Sequence, residues 1–289
     1  MTDRDLRNDP DNYCYRHPDR QSFVLCQRCL RTICPECQTQ MPVGVVCPEC
    51  LAEQQKAARV ANVKRMPRRI SAVAASDSRP LLTYALVAVT SAFYLIGLIP
   101  GIGSAVRSAL AFNSLLVFPG VAIEPWRIVT VGLVHSGIWH VALNMLALWA
   151  LGRTLEPMLG RLRFAALYVL SIMGGSALVA LVAPGVWVVG ASGGVWGLLG
   201  ALFIIGRKIG ANVTPIAIIL GLNLVLTFLP GSNISWQAHI GGGLAGLLVG
   251  AIFARTRRHD QQRRQAWLLV AVGAGLVAIT IGVPPLLYG

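Results

Sequence analysis

Ser192 sits in Gly190-Ala191-Ser192-Gly193, with Val186-Trp187-Val188-Val189 before it and Val195-Trp196-Gly197-Leu198-Leu199 after it. A serine becomes a nucleophile only when a base takes its proton. Acyl transfer also needs hydrogen-bond donors for the oxyanion. The base candidate is His239, in Ala238-His239-Ile240-Gly241-Gly242. Its neighbouring glycines allow close packing against another helix. His140 and Asn144 stand four residues apart and so share one helical face. With the Ser192 N–H they form a candidate oxyanion donor set. Trp196, one turn beyond Ser192, is placed to stack on the His239 ring. Each residue also has a plainer reading. Ser192 alone reads as a small residue at a helix contact, and Asn144 alone reads as interhelical hydrogen bonding. A shared position in the fold has to decide between the readings.

A second chemistry lies near the start of the chain. All seven cysteines fall between Cys14 and Cys50. With His17 they form pairs at x2 spacing: Cys14/His17, Cys26/Cys29, Cys34/Cys37 and Cys47/Cys50. Two intervening residues let a tight turn aim both side chains at one tetrahedral Zn²⁺, so the set fills two closed sites. Disulfides would leave one of the seven cysteines unpaired and give His17 no role. A segment this small buries little apolar area, so metal would supply most of its folding energy, in a structural capacity. The spacing resembles B-box-type cross-braced zinc fingers. That resemblance implies one zinc on Cys14, His17, Cys34 and Cys37, and another on Cys26, Cys29, Cys47 and Cys50. Sequential pairing of the ligands is the rival arrangement.

The elements that position these residues follow from composition. Charged residues make up 13% and hydrophobic residues 55% of the 289-residue chain, against about 25% charged in soluble domains. The expected class is an all-α polytopic membrane protein preceded by a small zinc-binding domain. Helices are expected near 81–100, 135–152, 163–183, 190–206, 212–229, 238–254 and 266–285. The expected division is a tail at 1–12, a zinc module at 13–52 and a basic linker at 53–80. A core of six helices follows at 81–255, then a basic loop with a seventh helix at 256–289. In the linker Leu51–Val63 favours helix, and Lys64, Arg65, Arg68, Arg69 and Arg79 would meet anionic headgroups. Nothing aromatic is interleaved with these charges, so no nucleic-acid partner is expected.

The net charge of +13 has a membrane explanation. Arg153, Arg161 and Arg163 follow the second helix, Arg207 and Lys208 the fourth, and Arg255, Arg257, Arg258, Arg263 and Arg264 the sixth. With the N-terminus inside, each of these loops is cytoplasmic. No cleavable signal peptide is expected. Residues 101–134 and the turns at Ala183-Pro184-Gly185 and Pro230-Gly231-Ser232 then lie outside. Ser192, His239, His140 and Asn144 all fall within the first turns from the outer ends of their helices. Polar groups at such positions are functional candidates by default. From Leu81 onward the only acids are Glu124, Glu156 and Asp260. None suits a buried partner for His239, which points to a Ser–His dyad. Arg127, beside Trp126, is expected to anchor the outer segment at the membrane surface, and His135 to be interfacial.

At this point the chain resembles the rhomboid intramembrane serine proteases over roughly residues 81–255. The motifs are Trp126-Arg127, His135-x4-His140-x3-Asn144, Gly152-x3-Glu156-x3-Gly160, Gly190-Ala191-Ser192-Gly193 and Ala238-His239-Ile240-x-Gly242. The resemblance implies a six-helix core with Ser192 as nucleophile, His239 as base, and His140 and Asn144 at the oxyanion. It implies cleavage of single-pass transmembrane proteins near the outer face, and Glu156 as a tie between the second helix and the following loop. It also implies that the fifth helix is a lateral gate. Expected partners are such substrates, the lipid bilayer and a cytoplasmic protein for the zinc module. Catalysis would need no cofactor; two structural Zn²⁺ would sit in the N-terminal module. The expected location is the plasma membrane, in a bacterium, with the N-terminus cytoplasmic and the C-terminus outside. The rival function is a catalytically inactive rhomboid-like adaptor. A transporter is disfavoured because no acid lies mid-membrane and no inverted repeat is evident.

Overall fold

The computed structural model describes residues 9–41, 44–64, 79–118, 121–228 and 234–288. Arg65, Arg68 and Arg69 of the basic linker, the turn at Pro230-Gly231-Ser232 and most of the N-terminal tail fall outside them. The chain divides into two compact units, Met1–Ser76 and Asp77–Gly289.

The first unit has very little regular structure. Strands β1 (Tyr13–Cys14) and β2 (His17–Gln21) pair antiparallel, as do β3 (Thr39–Gln40) and β4 (Val45–Val46). Helix α1 runs over Pro48–Lys64 and starts between the last two cysteines. The buried cluster consists of Cys14, Cys26, Cys34, Cys37, Cys47 and Cys50 with only Ile33 and Val46. Its interior is therefore made of donor atoms rather than of hydrocarbon.

The second unit is helical. Its elements are α2 (Leu81–Ile96), α3 (Ile102–Leu110), α4 (Arg127–Thr130), α5 (Ile138–Leu159), α6 (Arg161–Val182), α7 (Ser192–Lys208), α8 (Thr214–Thr227), α9 (Trp236–Arg255) and α10 (Gln262–Tyr288). Each of the seven expected segments is helical, with shifted ends. The largest shift is in α5, which runs beyond the expected residue 152 and stops at Gly160, whose φ of 82° reverses the chain into α6. By length and apolar character α6, α9 and α10 can cross a membrane, and the bent pair 127–133 and 138–159 makes a fourth span among the described residues. Helices α2 and α8 are apolar but shorter. The chain is thus a mostly helical membrane protein with three to four apolar spans and a small cysteine-rich region.

The centre of the helical unit is built on missing side chains. A Cβ at Gly242 would overlap the Gly193 carbonyl, one at Gly246 would overlap Gly197, and one at Gly250 would stand 2.8 Å from Ala201. The matched pairs advance together, so α7 and α9 run parallel with their backbones in contact. Helix α6 runs antiparallel to both. A Cβ at Gly175 would meet the Ala238 carbonyl at 2.8 Å, and one at Gly197 would overlap Ser171. Phe112, Phe164, Leu167, Leu198 and Val249 fill the remaining space.

Two buried charges hold the periphery. Arg127 is buried, at 5% exposed. It pairs with Glu124 and donates to the carbonyls of Ser108 and Ala111. Trp126 Nε1 and Thr130 Oγ1 donate to the Ala109 and Leu110 carbonyls. The Trp126-Arg127 motif therefore satisfies the carbonyls left over at the end of α3. Glu156, 2% exposed, ties α5 to α2, and its Oε1 also lies 3.9 Å from Arg161 Nε just past the turn at Gly160. Its carboxylate accepts from Leu82 N at 2.9 Å, and from Thr83 N and Thr83 Oγ1 at 2.7 Å each. An anion is thereby placed at the positive end of a helix. Gly152 makes room for Thr83, since a Cβ there would overlap that side chain.

Candidate active site

The backbone sets the serine before any side chain does. Gly190 has φ 124°, a conformation L side chains rarely adopt, and a Cβ there would stand 2.7 Å from His140 Nε2 and 3.8 Å from Ser192 Oγ. Only glycine fits between the two. The strand-like approach is fixed by Gly190 N donating to the Val131 carbonyl and by Phe112 pairing with Val188. Helix α7 then starts at Ser192 with no side-chain cap. The first N–H groups of a helix have no intrahelical partner, so they face the serine as candidate oxyanion donors.

Helix α9 presents the base. His239 is 7% exposed, and its ring stacks on Trp196 with centroids 5.1 Å apart and planes at 23°. Its Nδ1 lies 3.0 Å from Thr227 Oγ1. That hydroxyl in turn donates to the Asn223 carbonyl at 2.8 Å. A carbonyl only accepts, so the hydroxyl hydrogen is committed there. The Thr227 oxygen then accepts from His239 Nδ1–H, and Nε2 is left as the basic nitrogen. Thr227 is the residue that inspection of the sequence missed. It is the one buried residue of α8, and a lone threonine in an apolar run carries no spacing signal. No hydrogen bond joins Ser192 Oγ to His239 among the described residues. Such bonds are often long without substrate and tighten in the complex.

The other expected residues divide. His140 comes beside Gly190 and Ser192, and Ser136 Oγ lies 3.0 Å from its Nδ1. If that hydroxyl donates to Nδ1, Nε2 carries the hydrogen on the serine side, which is the tautomer an oxyanion donor needs. Asn144 is buried one turn along α5 and turns one amide hydrogen back to the His140 carbonyl at 2.8 Å. His135 lies inside the protein. It is 3% exposed, and its Nε2 accepts from Ala191 N at 3.2 Å, directly before the serine. Its Nδ1 is buried and forms no close hydrogen bond among the described residues.

The N-terminal ligands gather into two tetrads, Cys14-His17-Cys34-Cys37 and Cys26-Cys29-Cys47-Cys50, each with its donor atoms within 4.8 Å of one another. This is the cross-braced arrangement; the sequential one is not formed. His17 Nδ1 lies 3.8, 3.4 and 3.4 Å from the sulfurs of Cys14, Cys34 and Cys37, and Cys29 Sγ lies 3.8 Å from Cys47 Sγ. Tetrahedral edges computed from zinc–sulfur and zinc–nitrogen bond lengths are about 3.5–3.8 Å, so the donor sets fit metal ions of that size. None of the seven cysteines is in a disulfide. Burial alone would raise the Cys14 thiol, but N–H groups of Cys34 and Arg16 and the His17 ring outweigh it and hold it at about 6. Burial and the neighbouring thiols push Cys37 up to about 11. The second tetrad behaves alike. Burial of Cys26 is outweighed by backbone donors at Cys29 and Arg28, giving about 6. Burial and adjacent thiols drive Cys50 up to about 12. Each tetrad so resists ionising fully until a cation offsets the crowded charge.

Residues 122–256 match the sequence model of the Rhomboid domain family. The Rhomboid protease GluP of Bacillus subtilis (strain 168) is 31% identical over 224 residues, covering 73% of this chain and 42% of that protein. The chain belongs to the rhomboid family. RHOMBOID-like protein 1 of Arabidopsis thaliana is 39% identical over 138 residues, 45% of this chain and 35% of that protein. Rhomboid-related protein 2 of Mus musculus is 33% identical over 168 residues, 51% of this chain and 55% of that protein. The chain thus spans roughly a third to just over half of the length of these relatives. Within the rhomboid match lie His135, His140, Asn144, Glu156, Ser192, Thr227 and His239. The two tetrads, α2 and α10 lie outside it.

Proposed function

We propose that this chain is an intramembrane serine endopeptidase that cleaves transmembrane segments of single-pass proteins near the outer membrane face. Ser192 Oγ attacks the scissile carbonyl carbon, and its proton passes to His239 Nε2. The ring is held for this by Trp196 and by the bond from Nδ1–H to Thr227. The oxyanion is received by the N–H groups at the start of α7, the His140 ring and the Asn144 amide. His239 returns the proton to the leaving amine, and a serine ester remains. Water, activated by the same nitrogen, then hydrolyses the ester. Gly190 and Gly193 keep the path clear of side chains. The observation that carries this reading is the imidazole at the first turn of α9, stacked on the serine helix, with its Nδ1 tied to a hydroxyl.

By the loop charges, the seven helices would form a six-helix core plus α10, with the N-terminus cytoplasmic in a bacterial plasma membrane and the serine toward the outside. The tetrads would hold two structural Zn²⁺ in a module that binds a cytoplasmic partner. Ser192→Ala is expected to cut cleavage of a reporter transmembrane substrate by about 10⁴-fold or more while insertion is unchanged. A fluorophosphonate is expected to label Ser192. Unchanged cleavage by the variant sinks the proposal. A well-inserted wild type that neither cleaves nor takes the probe supports the inactive-adaptor reading instead.

A further inference from the structure

At the end of the helical unit that carries the arginine-rich loops, a cavity of about 210 Å³ opens between α5, α6, α7, α9 and α10. That is far above the roughly 10–15 Å³ that admits one water. Its walls are of two kinds. Leu159, Ile205, Ile209 and Phe253 make an apolar side, and Arg163 and Arg257 bring guanidinium groups.

Arg163 is held in place. Its Nε donates to Gln265 Oε1 at 2.6 Å. Gln265 is 5% exposed, and its Nε2 donates to the carbonyl and the hydroxyl of Thr256 at 3.1 and 2.7 Å. Every polar atom of the Gln265 side chain is so engaged in fixing Arg163, whose two terminal nitrogens make no hydrogen bond among the described residues. The acids at this end are committed elsewhere. Glu156 is taken up by Leu82, Thr83 and Arg161, and Asp260 pairs with Arg258 at 3.2 Å. Among the described residues no carboxylate pairs with Arg163 or Arg257. Helices α6 and α10 both start at this end, so their positive ends add to the field. An excess of arginines is what the inner side of any membrane protein shows. That bias does not explain one arginine clamped through a buried glutamine on another helix. Gln265 lies on α10, beyond the 122–256 rhomboid match, whereas Arg163 and Thr256 lie within it.

We infer that this cavity binds the phosphate group of an anionic phospholipid, with Arg163 and Arg257 on the phosphate and an acyl chain along Ile205, Ile209 and Phe253. The loop charges assign it to the inner leaflet. The test uses the purified full chain, with phosphatidylglycerol retention measured by native mass spectrometry and by titration in neutral-lipid nanodiscs. Arg257→Gln, an exposed position with little bearing on folding, is expected to weaken binding about five-fold, and the pair Arg163→Gln/Arg257→Gln about thirty-fold. Gln265→Leu keeps every arginine and is expected to weaken binding several-fold by releasing Arg163. Arg258→Gln, in the same loop but outside the cavity, is expected to leave it unchanged. Equal losses for Arg258→Gln and Arg257→Gln would mean diffuse charge and overturn the site. Gln265→Leu with wild-type binding overturns the clamp. Inorganic phosphate that binds in detergent as tightly as phosphatidylglycerol overturns the lipid assignment.

Discussion

The two compact units solve the same problem in opposite ways. Each must bring polar groups from distant parts of the chain to fixed positions. The N-terminal unit does so with donor atoms at its centre: six buried cysteines and only two fully buried aliphatic side chains. The helical unit does so with nothing at its centre, because Gly242, Gly246 and Gly197 let backbone rest on backbone. A donor-built core depends on an ion, whereas a glycine-built core depends on the absence of atoms. The two should therefore fail under different insults.

The largest expected effect is on the donor-built unit. Chelation with a strong zinc ligand should unfold residues 13–50, since metal binding contributes roughly 10 kcal/mol or more per structural site. Metal analysis should first show two equivalents per chain. Cys26→Ser should lower this to one equivalent and melt the unit, while thermal unfolding of the helical unit stays in place. Full metal content after Cys26→Ser would show that the tetrads are not the ligands. The converse insult is Gly242→Leu. Its side chain must displace the Gly193 carbonyl, at a cost of about 3 kcal/mol or more, read as a lower unfolding temperature and lost fluorophosphonate labelling. Gly275→Ala on α10 has nothing within 4 Å of the new methyl group and should be neutral or slightly stabilising.

A smaller effect separates core from periphery within the helical unit. Glu156→Gln keeps the shape and removes the charge that three donors of α2 share. The expected loss is about 1.5–3 kcal/mol, with faster hydrogen exchange at Leu82 and Thr83 and little change near Ser192. Exchange that rises equally at both places would mean that α2 is part of the catalytic core.

How far each region was legible in the sequence follows from the same contrast. The tetrad ligands announce themselves because paired ligands must be local, and x2 spacing is local. Cross-bracing was open on spacing alone, since either pairing satisfies the same ligand count. The helices were legible because membrane spans must be long and apolar. Their ends were not, because Pro157 is tolerated in the last turn of α5 and Gly160 sets the true stop. Ser192, His239, His140 and Asn144 stood out because hydroxyl, imidazole and amide groups are costly between apolar runs. The buried partners of Arg127 and His135 were not legible, for one reason. Charged and polar residues near span ends look interfacial, whereas these are buried because helix ends leave carbonyl and N–H groups that need partners.

Thr227 gives the finest test, because it belongs to neither kind of core. Helix α8 contributes only this buried side chain, yet its hydroxyl holds the nitrogen of His239 that faces away from the serine. Thr227→Val keeps the branched shape and deletes the acceptor. The Nδ1–H is then left unsatisfied, and the competing tautomer, with hydrogen on Nε2, gains population. In that tautomer the ring cannot take the Ser192 proton. A neutral hydrogen bond contributes roughly 0.5–1.5 kcal/mol net, so kcat should fall about two- to twelvefold with KM unchanged. Fluorophosphonate labelling should slow in proportion, and Thr227→Ser should restore both. A purely structural role predicts a lower unfolding temperature with normal labelling, and a rise in KM alone would place Thr227 in substrate entry. Only the fall in kcat with rescue by serine makes the base a ring fixed from two sides, by an indole and by a hydroxyl, where a carboxylate is missing.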